Sequence, residues 1–232
     1  MTHQVVVLAA GMGTRLARPF PKPLTPLASG QSILGQQLAN VEKVLGERAR
    51  VLVVVGFKLE LVMEAAPDVA FAYNESYDQT NTSKSLLKAL RLSHDGGVLW
   101  MNGDVVFDPA VLERVLPLVE ADTSFVCVNT AAVGEEEIKY TVDADGMVDQ
   151  LSKTVVGGLG EAVGINFVAG RDKAVLVEHL TACADDDYFE RGLETAVAAG
   201  SLRLLPVDIS DLFAVEVDFE ADLERANRAG GA

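Results

Sequence analysis

Two short segments carry residue types suited to handling phosphate. The first is Leu8-Ala9-Ala10-Gly11-Met12-Gly13-Thr14-Arg15-Leu16, where small residues follow an apolar run and let backbone N–H groups approach a ligand. Arg15 adds a planar donor matched to phosphate oxygens. The second is Arg18-Pro19-Phe20-Pro21-Lys22-Pro23-Leu24, which holds one lysine between two prolines that restrict its backbone, a constraint that a flexible surface lysine does not need. Taken alone, a bare Gly-x-Gly also describes a tight turn with a surface arginine. Two familiar phosphate loops are excluded: no Gly-Lys-Ser/Thr ending occurs anywhere, and the third glycine of the dinucleotide fingerprint is replaced by Leu16. The second apolar run ends in Val55-Gly56 with no acid for a ribose hydroxyl, which disfavours a dehydrogenase.

Together the two segments resemble the signature of the nucleotidyltransferase superfamily, LAAGxGxRL followed closely by PKPL, with both halves unaltered. The resemblance implies that the backbone of Leu8, Ala9, Ala10 and Gly11 lies against a nucleobase. It further implies that Gly13, Thr14 and Arg15 hold a triphosphate, and that Lys22 sits on the phosphate under attack. A phosphate or phosphonate oxygen would attack the α-phosphorus in line and pyrophosphate would leave, so Arg15, Lys22 and a metal supply charge and positioning, not a nucleophile.

Asp104 follows the apolar run Val98-Leu99-Trp100-Met101 and an Asn102-Gly103 turn, at the carboxyl edge of the expected sheet. It matches the superfamily's magnesium aspartate, and Asp108 before Pro109 is the better helix cap. Magnesium is usually held by one or two carboxylates plus substrate phosphates, so another acid is expected. Glu216 and Asp218 alternate along Phe213-Ala214-Val215-Glu216-Val217-Asp218-Phe219 and so share a face, as they also would on an edge strand facing water. The resemblance to cytidylyltransferases with a Val-Glu-Ile-Asp-like stretch makes them metal ligands, Asp218 slightly preferred.

Tyr73-Asn74-Glu75-Ser76-Tyr77 and Asn81-Thr82-Ser83-Lys84-Ser85-Leu86 resemble the small cytidylyltransferase branch of LicC-like phosphocholine enzymes, in which helix N-terminal amides with Asn81 and Ser85 would contact ribose and base; a helix cap explains Asn81 nearly as well. The resemblance covers nearly the whole chain, whose length suits such an enzyme without an appended domain. For the acceptor, Lys153 falls where a lysine of sugar-1-phosphate relatives contacts phosphate, with Lys139 assisting, or both are solvated hairpin lysines. Glu161 belongs to a segment, Gly160 to Ile165, that resembles the acceptor-pocket lining. Asp187 and Tyr188, in Asp185-Asp186-Asp187-Tyr188-Phe189-Glu190, have the composition to meet a trimethylammonium group or simply to solvate a helix start. Aromatic residues are 6% of the chain, too few for a rich choline cage, which leaves phosphocholine, aminoethylphosphonate-like and polyol or sugar phosphates open.

These residues must be held by a sheet. Residues 4–10, 50–56, 69–73 and 98–101 read as strands, most of them buried on both faces, and 32–45, 60–66 and 81–92 as helices between them, the alternation of a mostly parallel sheet with helices on both sides. Further on, 109–120, 172–182, 188–199 and 219–228 read as helices, and 124–129, 161–169, 202–207 and 214–217 as strands. Asp-Gly between 138–142 and 147–152 signals a hairpin. The expected architecture is one α/β domain over 1–232, a Rossmann-like three-layer sandwich. Residues 1–108 would form a nucleotide-binding half, and 109–232 an acceptor-binding half with mixed strands, a hairpin and a closing helix.

Thirty-four acids against 19 lysines and arginines give a net charge of −15, the wrong sign for wrapping nucleic acid or coating an anionic membrane. Cys127 and Cys183 lack metal-ligand spacing, and the N-terminus has no leader pattern, which reads as a reduced, cytoplasmic protein. The sequence thus predicts a magnesium-dependent cytidylyltransferase joining CTP to a small phosphate or phosphonate acceptor, as a monomer or homodimer. A sugar-1-phosphate enzyme using UTP or dTTP, and a nucleotide-binding regulator without turnover, are the alternatives.

Overall fold

In the computed structural model the described residues are 2–13, 15, 16, 18–131 and 137–229; of the sequence-derived site residues, Thr14 lies outside them. The sheet is built on β1 (His3–Ala9), flanked by β2 (Ala49–Val55) and β4 (Val98–Asn102), both parallel to it; β3 (Ala70–Tyr73) extends the β2 side. Beyond β4 the direction changes. Antiparallel β9 (Gly160–Val168) pairs with β4 and β6 (Phe125–Asn129), and β10 (Leu205–Asp208) closes that edge parallel to β6. The hairpin β7 (Lys139–Val142) and β8 (Val148–Ser152) attaches to β9.

Successive β1 residues divide between two cores, as the period-2 geometry of a strand requires. Val5, Val7 and Ala9 pack with Leu34 and Val41 of α1 (Ile33–Leu45), Val62 of α2 (Leu59–Ala65), and Val111 and Val115 of α4 (Ala110–Glu120). Val6 and Leu8 pack with Leu86 and Leu90 of α3 (Thr82–Leu92), Leu176 of α5 (Lys173–Ala182), and Phe189 and Leu193 of α6 (Phe189–Ala198). Both faces are therefore covered, giving the three-layer sandwich with a mostly parallel centre that the sequence predicts. The ring of Trp100 meets that of Phe189 edge-on at 5.6 Å, locking α6 to the middle of the sheet.

Besides a 3-10 turn at Gly46–Arg48, two elements near the site escape the sequence reading. A single 3-10 turn, Lys22–Leu24, is pinned by Leu24 N–H donating to the Pro21 carbonyl at 2.9 Å. A short β5 (Val105–Phe107) follows Asp104 directly and pairs antiparallel with β11 (Ala214–Glu216), so Val106, Val215 and Val217 form a third small core with Leu223 and Ala226 of α7 (Glu220–Ala229). The last edge strand starts three residues later than predicted: Leu202 and Leu204 are buried, but ladder pairing begins only at Leu205 opposite Phe125. Asp108 does serve the start of α4, its Oδ1 accepting from Ala110 N–H at 2.8 Å.

Cys127 and Cys183 are free and buried, and burial pushes both thiols up in pKa. Cys127 in the folded protein should therefore react with a disulfide reagent roughly 10²-fold or more slowly than in urea, because the reaction waits on opening. Comparable rates in both conditions would contradict the core placement of β6. Among the described residues no helix is long and apolar enough to cross a membrane.

Candidate active site

A cleft of about 610 Å³ opens where β1 and β4 end, at the carboxyl edge of the sheet. Its floor is Leu8, Ala9 and Gly103; Gly103 donates its N–H to the Leu8 carbonyl at 2.9 Å, an approach that a Cβ, only 2.7 Å from that oxygen, would block. Gly11 and Gly13 continue the wall, but Ala10 turns away, its carbonyl accepting from Phe57 N–H at 3.1 Å.

Lys22 is delivered into this cleft by the 3-10 turn. Its Nζ lies 2.6 Å from Asp104 Oδ2 and 2.5 Å from Asp218 Oδ1, with the side chain 11% exposed. Burial would lower its pKa, but Asp104, with Asp218, outweighs that and raises it, so Lys22 stays charged. Arg15 Nη1 takes the second Asp218 oxygen, Oδ2, at 2.7 Å, and that carboxylate raises the guanidinium's pKa in turn. Burial works against the Asp218 charge, yet Lys22 and Arg15 hold its pKa below the ordinary value. Two cations from the first loop thus meet two acids from distant parts of the chain. Asp104 Oδ1 is buried with no partner among the described residues.

Gly13 sits at φ +60° with Lys22 Cβ only 2.8 Å from where its own Cβ would be. Gly13→Ala should cost about 1–2 kcal/mol from left-handed backbone strain alone and push Lys22 off the acids. Urea denaturation checks the first effect; an unchanged midpoint would contradict it.

Glu216 projects beside this group from β11. It accepts at 3.2 Å from Asn102 Nδ2 and from Gly164 N–H, and Gly164 has room for it only because it lacks a Cβ. Burial first, then the charges of Asp104, Glu190 and Glu137, push the Glu216 carboxyl up to about 8. Glu190, which sequence reasoning missed, also lines the cleft from the first turn of α6. Its Oε2 is buried and has no partner among the described residues, and burial pushes its pKa up to about 7, with Asp104 and Glu137 adding and its own backbone amide and Lys153 opposing. Lys153 and Tyr188 meet across the cleft mouth, the ammonium 5.0 Å from the ring centre.

The remaining sequence candidates are placed differently. Ser85 is buried, its Oγ accepting from Asn74 Nδ2 at 3.1 Å, and it does not reach the cleft. Asn81 lines the cleft, but the α3 amides are not open to a ligand: Asn81 and Ser83 N–H donate to the Asp185 and Asp187 carbonyls, and Thr82 N–H to Asn81 Oδ1. Asp187 Oδ2 caps its own loop through Ala184 N–H at 2.8 Å. The aspartate run thus staples α6 to α3 through its backbone, and that seam aims Tyr188 and Glu190 inward. Lys139 and Glu161 face each other in register on β7 and β9; Glu161 lines a smaller hollow of about 270 Å³ behind the cleft.

Among the described residues no three His, Cys, Asp or Glu side chains are grouped so as to hold a metal ion by themselves. The donor set fits one nonetheless. Asp104 and Asp218 are two hard oxygen ligands already gathered around a cation, and the orphaned Asp104 Oδ1 is a vacant acceptor; magnesium takes one or two carboxylates and completes its shell with substrate oxygens.

Residues 5–153 match the model of the MobA-like NTP transferase domain. A CMP-5'-(3-aminopropyl)phosphonate synthase from Streptomyces rubellomurinus is 32% identical over 245 aligned positions, covering 97% of this chain and 38% of its own length. The bifunctional protein GlmU of Azotobacter vinelandii is 33% identical over 207, covering 88% and 39%. The chain thus spans less than half the length of these relatives. Among solved structures, the CTP:phosphocholine cytidylyltransferase of Streptococcus pneumoniae superposes with a TM-score of 0.79 over 99% of both chains at 16% identity. The inositol-1-phosphate CTP transferase of T. maritima superposes at 0.76, also 16% identical, over 99% of this chain and 97% of its own. At such identities the likeness is one of fold.

Proposed function

The chain belongs to the MobA-like NTP transferase domain family, and on that premise we propose that it transfers CMP from CTP to a small phosphate or phosphonate acceptor and releases pyrophosphate. The observation that carries this reading is the convergence of Arg15, Lys22, Asp104 and Asp218 on one cleft at the carboxyl ends of parallel strands. The CMP- and CTP-linked names of the aminopropylphosphonate synthase and of the two structural neighbours favour cytidine as the base.

In this mechanism the bare floor of Leu8, Ala9 and Gly103 takes the flat base, and Arg15 and Lys22 bring fixed positive charge to the triphosphate. The two reacting groups are both anions; positions already occupied by cations lower their repulsion at no reorganisation cost during the reaction. Asp104 and Asp218 would hold a magnesium ion, which when bound supplies neutralising charge to the phosphate oxygens. Lys153, at the opposite lip, suits the acceptor's phosphate or phosphonate. We place the protein in the cytoplasm, where nucleoside triphosphates and reduced thiols are found.

Glu190 and Glu137 make the acceptor side acidic, which suits an acceptor with an ammonium at its far end over a polyol phosphate. Glu190→Gln should then raise the KM for an aminoalkylphosphonate about 10–100-fold, the worth of a hydrogen bond to a charged group, and leave the KM for CTP within threefold. An equal rise in both would remove Glu190 from the acceptor site.

The direct test is to incubate the protein and Mg2+ with each of four NTPs and a panel of aminoalkylphosphonates, phosphocholine, polyol phosphates and sugar 1-phosphates, following pyrophosphate. CTP with a zwitterionic acceptor should give the fastest release. Release with UTP or dTTP and a sugar phosphate alone would assign the sibling activity, and no release with any pair would overturn the enzymatic reading.

A further inference from the structure

We infer that the Lys22 ammonium is a resident counter-ion for the metal acids, so that a divalent cation can enter only by displacing it, and loading of the metal and release of the lysine are one event. The inference rests on the reading that Asp104 and Asp218 take a divalent ion. Every Asp218 oxygen is already held by a cation, Oδ1 by Lys22 and Oδ2 by Arg15, and Asp104 Oδ2 by Lys22 again. Among the described residues, Asp104 Oδ1 is the one oxygen of the pair without a partner. A single open carboxylate oxygen is a poor site for a hard divalent ion, which prefers several. Without the ammonium, two carboxylates at this separation would repel each other in a partly water-excluded cleft; with it they stay gathered.

The ammonium is held there by more than charge. Pro21 and Pro23 fix the turn that carries Lys22, and the chain closes over it because Gly13 leaves the space a Cβ would fill. A divalent ion arriving alone must therefore compete with a lysine gripped by two carboxylates at 2.6 and 2.5 Å. A nucleoside triphosphate brings a new and highly charged anion into the same cleft. The lysine can then pass from the carboxylates to the phosphates as the ion takes its place, so nucleotide and metal strengthen each other's binding. Removing the ammonium should abolish the competition and most of this coupling.

The test is Mn2+ binding followed by electron paramagnetic resonance, with and without CTP, on the wild-type protein and on Lys22→Met. Without nucleotide the variant should bind Mn2+ at least tenfold more tightly than wild type, and CTP should tighten its Mn2+ binding less than it does for wild type. Equal or weaker Mn2+ binding by a variant with a native circular dichroism spectrum overturns the inference and leaves the metal-site reading standing. No Mn2+ uptake by either protein, with or without CTP, removes both. If the variant does not fold, NMR of 13C-labelled lysine ε-carbons in the wild type decides: the Lys22 signal should shift in step with Mg2+ saturation, and a signal unmoved at saturation overturns the exchange.

Discussion

Lys22→Met should lower kcat/KM for CMP transfer about 10²–10³-fold, close to the cost of removing one preorganised donor from a transition state. The loss should fall mainly on kcat. On the proposed mechanism Arg15 and the amides of Gly11 and Gly13 would still hold the nucleotide in the ground state, whereas the charge of Lys22 would matter most when the entering and leaving oxygens both crowd the α-phosphorus. Methionine keeps the length of the stem and fills the same space, so the fold is not asked to close a cavity. The variant also loses the partner shared by Asp104 and Asp218; Asp218, held below its ordinary pKa partly by Lys22, should move back up. Steady-state pyrophosphate assays measure the rate, and a loss under tenfold contradicts the role. Coupled with tighter Mn2+ binding, a large fall in kcat would separate loss of phosphate stabilisation from loss of metal, since an enzyme starved of its ion would recover as Mn2+ was raised and this one would not.

Much of the fold was legible in the sequence, for a physical reason. Strands buried on both faces leave uninterrupted β-branched runs such as Val5-Val6-Val7 and Val53-Val54-Val55, and a glycine is forced where backbone must touch backbone, as at Gly103, or where a left-handed turn packs under a neighbouring side chain, as at Gly13. Three-residue β5 gave no such signal, because a short strand hidden behind a turn has no period to show. Side-chain direction was not legible either. Ser85 reads as a ligand contact, yet its hydroxyl accepts from Asn74 inside the fold, and Asp187 spends its carboxylate on a local turn. Glu190 was missed for the opposite reason. After three aspartates it looks like one more solvated acid at a helix start, and only the docking of Phe189 against Trp100 turns it inward, where its Oε2 loses water. Spacing along a helix says which residues share a face; what that face meets is decided by contacts a hundred residues away.

Asp104→Asn should cost at least as much, about 10³-fold in kcat, while leaving CTP binding in the absence of metal unchanged or tighter. The side chain is nearly isosteric, is 23% exposed, and sits in a turn whose geometry is set by Gly103 and Leu8, so the substitution acts through charge more than shape. It removes one of the two carboxylates proposed for the ion, and metal ions are worth several kcal/mol of charge stabilisation at phosphoryl oxygens. It also takes away half of the negative charge that keeps Lys22 in place and sets an amide against an ammonium where an acceptor stood. Nucleotide affinity should move the other way, because a triphosphate no longer approaches that anion. A second consequence separates charge from shape. Asp104 is the largest charge contribution raising the Glu216 carboxyl, which stands at about 8, so the variant should titrate Glu216 at lower pH in a 13C NMR experiment. If Asp104→Asn kept more than a tenth of the wild-type rate, or if Glu216 titrated unchanged, the carboxylates at the heart of the cleft would not be acting on a common centre of charge, and the phosphates would have to be handled elsewhere.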